Sequence, residues 1–257
     1  MKSLPRYILF LLASTIIFTS CKEDPKEETP STNSDAPKVV FSLSPKYENA
    51  DFAAGTVYFD SYGHRIRVDN FQSYISDITL HDDLGNDVVI KDIAMWNIGS
   101  DNTFTAEIPA GSYSSLSIGI GVPEDKNKDI DPTTYPNDHP LSVNGAQGMF
   151  WTWNTGYIFT KFEGKADFTG TEGASLLSPF AYHVGDDPFY RIVNLDFPFT
   201  IEAKQTIDIP VVVRVDQILN GGTSQVDVEV DYITHTSDNP TLAERIIDNF
   251  ASSFSIE

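Results

Sequence analysis

The chain has 257 residues, with 17 Lys and Arg against 37 Asp and Glu, a formal net charge of -20, and a single cysteine. A field of that sign repels phosphate backbones, which excludes nucleic acid as a partner, and a lone cysteine excludes a disulfide framework. Stability must come from an apolar core, and about 220 residues after the leader and linker are enough to build one as a single domain.

In chain order, Lys2 and Arg6 precede an apolar run from Tyr7 to Phe18 that is too short to span a bilayer as a mature helix. Residues 1–20 therefore read as a signal peptide. Phe18-Thr19-Ser20-Cys21 resembles a bacterial lipobox, which implies a diacylglycerol on Cys21 and a protein anchored to a membrane rather than spanning it. Lys22-Glu23-Asp24 resembles the tag that sends lipoproteins of the Bacteroidetes to the outer face of the outer membrane. Residues 21–37, rich in Pro, Glu, Ser and Thr, read as a disordered acidic tether. Loss of Lys2 and Arg6 with the leader takes the charge from -20 to -22.

From residue 38 to 257 the period is two. The runs 39–45, 56–83, 87–98, 115–122, 192–201, 205–215 and 225–233 alternate or stay apolar with β-branched enrichment, and predict strands. Gly, Asn and Asp clusters between them supply turns. The pattern predicts an all-β domain, an antiparallel Greek-key sandwich of immunoglobulin-like kind. Residues 239–254 differ: Asn239 precedes Pro240, and Leu242, Ala243, Ile246, Ile247, Phe250 and Phe254 recur at helical spacing, predicting a C-terminal amphipathic helix.

For chemistry, the five histidines are His64, His81, His139, His183 and His235. No G-x-S-x-G or H-E-x-x-H is present, no acid/base pair stands out, and Asp186-Asp187 reads as a turn, so the expectation is a protein that is not an enzyme. Asp125, Asn127, Asp129 and Asp131 stand at every second position, a spacing that brings oxygen ligands to calcium. Yet Ile130 and Pro136 occupy the places where an EF-hand-type loop requires Gly and a bidentate acid, which favours a solvated acidic loop.

The densest feature is "GMFWTWNTGYIFTKFEG", 148–164, in which Trp151 and Trp153 fall on one face of an extended chain, continued by Tyr157 and Phe159 if a strand runs past Gly156. An aromatic stripe is ordinarily core. Residues 139–164 together with "FAYHVG", 180–185, resemble the signature of the MbnP-like family, a copper-associated group of exported bacterial proteins; looser resemblance runs through 71–86, 108–127 and the closing segment. The resemblance implies that Trp151 or Trp153 is oxidised to kynurenine by a partner dihaem peroxidase, and that the product binds copper together with histidine, His183 first. His139 follows as a second ligand, ahead of His81 and His235; His64 is given no role. An aryl amine and ketone would make a ligand of an indole, and imidazole suits copper. The alternative is a surface sandwich that binds a glycan, peptide or protein through exposed aromatics. Burial beside His183 would favour metal; exposure away from histidine would favour adhesion.

Overall fold

A computed structural model describes residues 35–151, 156–221 and 224–257. The expected signal peptide, the expected tether as far as residue 34 with its Cys21, and Trp153 lie outside them. The strands are β1 (Lys38–Tyr47), β2 (Ala50–Asp51), β3 (Val57–Phe59), β4 (Arg65–Asp82), β5 (Asp87–Asn97), β6 (Thr103–Glu107), β7 (Gly111–Ile120), β8 (Ile158–Asp167), β9 (Ser178–Gly185), β10 (Arg191–Ile201), β11 (Thr206–Arg214), β12 (Ile233–Thr234) and β13 (Phe254–Ile256). The helices are α1 (Glu124–Asn127), α2 (Gln217–Asn220) and α3 (Pro240–Ser252).

Two sheets pack as a sandwich. One has the order β13-β11-β1-β2 with β6 also on β1; the other runs β10-β7-β4-β8-β9-β12 with β3 and β5 also on β4. Alternation fixes which side chains face inward: Val39, Phe41 and Leu43 of β1 meet Ile75, Ile78 and Leu80 of β4 in a continuous core. Most pairings are antiparallel as expected, but β1 with β11 and β9 with β12 are parallel, so both sheets are mixed. α3 begins where Asn239 accepts a hydrogen bond from the Leu242 amide, and it buries Leu242, Ala243, Ile246, Ile247 and Phe250.

Two expectations are corrected. Residues 56–83 are not one run, because Asp60 accepts hydrogen bonds from the amides of Tyr62 and His64 and turns β3 back onto β4. Residues 225–232 are not in a strand, although Val226 and Val228 are buried, and only Ile233 of the expected run enters β12. The Asp227 carbonyl accepts from the amides of both Val230 and Asp231, which curls the chain, and Arg245 of α3 takes the Gln225 carbonyl. Alternation there comes from anchoring to a helix rather than to a sheet.

β4 positions the site. β5 follows one of its edges, while β8 pairs with 65–73 and β7 with 75–82 along the other. β7 and β8 thus lie end to end, and the break between them falls at Tyr74. A second core of Tyr74, Ile93, Val122, Leu141, Met149, Trp151, Tyr157 and Phe159 fills this break.

Candidate functional site

The segment from 121 to 157 links β7 to β8 and carries the aromatic block. It is held from within: Asn127, 1 % exposed, accepts the Tyr157 amide at 2.8 Å and donates to Asp187 at 2.6 Å. Tyr157 in turn donates its hydroxyl to the Leu141 carbonyl at 2.6 Å, and Tyr74 donates to Pro140. Burial pushes both phenols above their ordinary pKa, so they remain donors. Gly156 has φ +130°, and a side chain there would press within 3.1 Å of the Asn127 oxygen.

Trp151 and Tyr157 are not successive points on one strand. Phe150 bridges antiparallel to Tyr157, and the Trp151 amide donates to the Gly156 carbonyl, so the described residues on the two sides of 152–155 run in opposite directions and the chain reverses between them. Gly156, which a single strand would have had to cross, lies on the returning arm.

This reversal lays Trp151, 5 % exposed, against the end of β9. Its indole nitrogen lies 3.0 Å from where a Cβ on Gly185 would stand, so glycine permits the approach. The ring centroid is 6.2 Å from that of His183 and 6.4 Å from that of His235, and the two imidazoles are 5.0 Å apart, edge to face. His183 projects from β9. His235 follows β12, whose parallel register sets Ile233 opposite Ala181 and Thr234 opposite Tyr182, bringing the next residue alongside His183.

Each imidazole is oriented by a carboxylate. His183 Nε2 meets Glu163 Oε1 at 2.7 Å, and His235 Nδ1 meets Asp238 Oδ2 at 3.1 Å. The hydrogen bond from His183 holds the Glu163 carboxyl down at about 2 against the cost of burial, with the Asn70 amide adding to it. Burial acts to raise Asp238 too, but the His235 amide and ring and the Thr234 hydroxyl outweigh it and keep the carboxyl below its usual range. An ionised carboxylate can only accept, so the facing ring nitrogen carries the proton. In the neutral rings this leaves lone pairs on His183 Nδ1 and His235 Nε2, neither of which makes a hydrogen bond among the described residues. Carboxylate-oriented imidazoles are the arrangement in which histidine serves as a metal ligand.

The other candidates lie elsewhere. His139 stacks on Tyr135 at 4.4 Å, accepts the Leu141 amide through Nδ1, and lines a separate cleft with Lys91, Asp92 and Pro136. His81 sits between Asp87 and Ser117 on the outer face of the sheet, and His64 leans on Asp60. Of the acidic loop, Asn127 has both ends of its amide engaged as described, and Asp131 accepts the Thr133 amide as a cap. Asp129 has φ +57°, and Asp125 lies in the first turn of α1. Among the described residues, no group of three or more His, Cys, Asp or Glu side chains is arranged to hold a metal ion; the convergence is of two imidazoles and an indole.

The placement of His235 beside His183 had no signal in the sequence. They are joined by a two-residue strand, too short for any period to announce, and the preceding alternation pointed to a strand ending at 233.

No curated protein matches the chain. A family model described as MbnP matches residues 36–237, a span that includes Trp151, His183 and His235. Among solved structures, MbnP from Methylosinus trichosporium is similar in fold, with 14 % identity and a TM-score of 0.52 over 85 % of this chain and 97 % of that one.

Proposed function

The chain belongs to the MbnP family, and from that premise we propose that it is an extracytoplasmic copper-binding protein, anchored by a lipid on Cys21 and without enzymatic activity of its own. The observation that carries the reading is the meeting of Trp151, His183 and His235, with both imidazoles turned by carboxylates so that one nitrogen of each keeps its lone pair. Imidazole is a good ligand for copper, and the acidic surface draws cations toward it. Burial of Trp151 at this place, rather than on an open face, favours metal over adhesion through that residue.

In this reading Trp151 is the residue matured to kynurenine. Opening the indole ring between its two pyrrole carbons inserts two oxygen atoms and gives N-formylkynurenine. With hydrogen peroxide as oxidant and a dihaem peroxidase as catalyst, two peroxides are each reduced to water. Hydrolysis then releases formate and leaves an aryl amine beside the histidines. The side chain has lost a carbon and gained an oxygen, which peptide mass mapping of residues 148–164 detects in protein from its native host. That amine, with His183 Nδ1 and His235 Nε2, would offer copper a set of nitrogen ligands of the kind it favours.

Copper titration against a competing chelator tests the assignment. His183→Ala and His235→Ala should each weaken binding by at least about tenfold, and His139→Ala should leave it unchanged. Equal affinity in all three variants would remove the site.

A further inference from the structure

We infer that Thr236 is the positioning residue of this pair of imidazoles: its hydroxyl ties the loop carrying His235 to the backbone of β9 on either side of Val184. The inference rests on the copper reading for its effect on metal, though not for its effect on geometry.

Thr236 is 4 % exposed and has φ +66°. That conformation suits glycine and is a true outlier for a β-branched residue, because the branched Cβ crowds the backbone. Strain of this kind persists only where the surroundings hold it, and it gathers at functional sites. A glycine would relieve it, so what threonine adds is the hydroxyl.

That hydroxyl is engaged both as donor and as acceptor. It donates to the His183 carbonyl at 3.0 Å and accepts the Gly185 amide at 2.9 Å. The parallel ladder between β12 and β9 ends at Thr234, opposite Tyr182. Beyond it the chain turns, and the Thr236 side chain takes up the backbone groups of β9 that a longer strand would have paired. The turn is fixed from behind as well, since the Thr236 amide donates to Thr234 Oγ1, which itself donates to the Asn239 carbonyl.

One hydroxyl therefore sets two things. It fixes how far His235 stands from His183, and it holds Gly185, the residue whose missing side chain admits Trp151. Without it, the segment of His235 would be joined to β9 only ahead of the loop, by the short ladder and by the Tyr182 hydroxyl on the Asp231 carbonyl, and the two imidazoles would not be prepared for a shared ligand.

The test uses the full chain with Thr236→Gly and Thr236→Ser. In metal-free protein, NMR reads the contact between the His183 and His235 rings and the exchange rate of the Gly185 amide; copper titration follows on the matured protein. Thr236→Gly suits the backbone and is expected to fold, yet to lose the ring contact, exchange the Gly185 amide at least about tenfold faster, and bind copper about 10- to 100-fold more weakly. Thr236→Ser, which keeps the hydroxyl, should restore all three. A retained ring contact with slow exchange in the glycine variant, or a serine variant that behaves like it, overturns the inference. If the wild-type protein takes up no copper while the ring contact and exchange respond as described, the copper reading fails and the positioning role stands. If wild type and Thr236→Gly bind copper equally well, the positioning role fails and the copper reading stands.

Discussion

Replacing Glu163 by Gln separates the charge of the carboxylate from its shape. Glu163 lies at about 2 in the folded protein against 4.5 when free, and the largest cause is the hydrogen bond from His183. A shift of about 2.5 pKa units corresponds to an upper bound of roughly 3.4 kcal/mol. The side chain is 34 % exposed, so solvent screening reduces this to about 1–2 kcal/mol. A carboxyl whose pKa is depressed by folding stabilises the fold in full above its unfolded value, and the contribution disappears as pH falls through the folded value. Urea unfolding of metal-free wild type and Glu163→Gln at pH 7 should therefore differ by about 1–2 kcal/mol. At pH 3, below the unfolded value, most of that difference should be gone. A gap that stays constant from pH 7 to pH 3 would refute the assignment of the stabilisation to an ionised Glu163.

Two further substitutions probe the support of the reversal. Asn127→Ala leaves the buried Tyr157 amide without its acceptor and removes a donor to Asp187, so thermal or chemical unfolding should show a loss of about 2–4 kcal/mol; a loss below about half a kcal/mol would mean that water replaces the asparagine. Gly185→Ala places a methyl group 2.6 Å from the Tyr157 carbonyl oxygen and 3.0 Å from the Trp151 indole nitrogen. Overpacking should cost about 1–3 kcal/mol and displace the indole from the histidines, which an unchanged unfolding midpoint would contradict.

The strands were legible where one face is buried and the other wet, because alternation along β1 and β11 is imposed by the core. The helix was legible for a different reason. Asn239-Pro240 marks its start chemically, and its apolar spacing has nowhere else to go than onto a sheet. Parallel pairing of β1 with β11 was not legible, since nothing local in either strand records a partner 168 residues away, the separation of Glu48 and Asp216 at one end of the pair. The same limit hid the site. Trp151 and His183 stood out as residues, but the return of the chain before Gly156 and the edge pairing of a two-residue strand decide who meets whom. The acidic loop shows the reverse: Asn127, which resembles a cation ligand in sequence, is committed to two protein partners once it is buried.

The position of β1 sets a problem for the newly made chain. One edge of β1 finds β6 after only a modest length of synthesis, but the other waits for β11, after β7 through β10 have been laid down. During that interval the half-built sheet offers a row of unpaired amides and carbonyls to any extended peptide nearby, the situation that drives edge-to-edge aggregation. Pro45 and Lys46 stand near the end of that edge, residue types that discourage strangers from adding a strand. Assembly of this sheet is therefore a late event in the life of the chain, and a helper that shields an open strand edge until β11 arrives would raise the yield of folded protein more than one that protects any single hydrophobic segment.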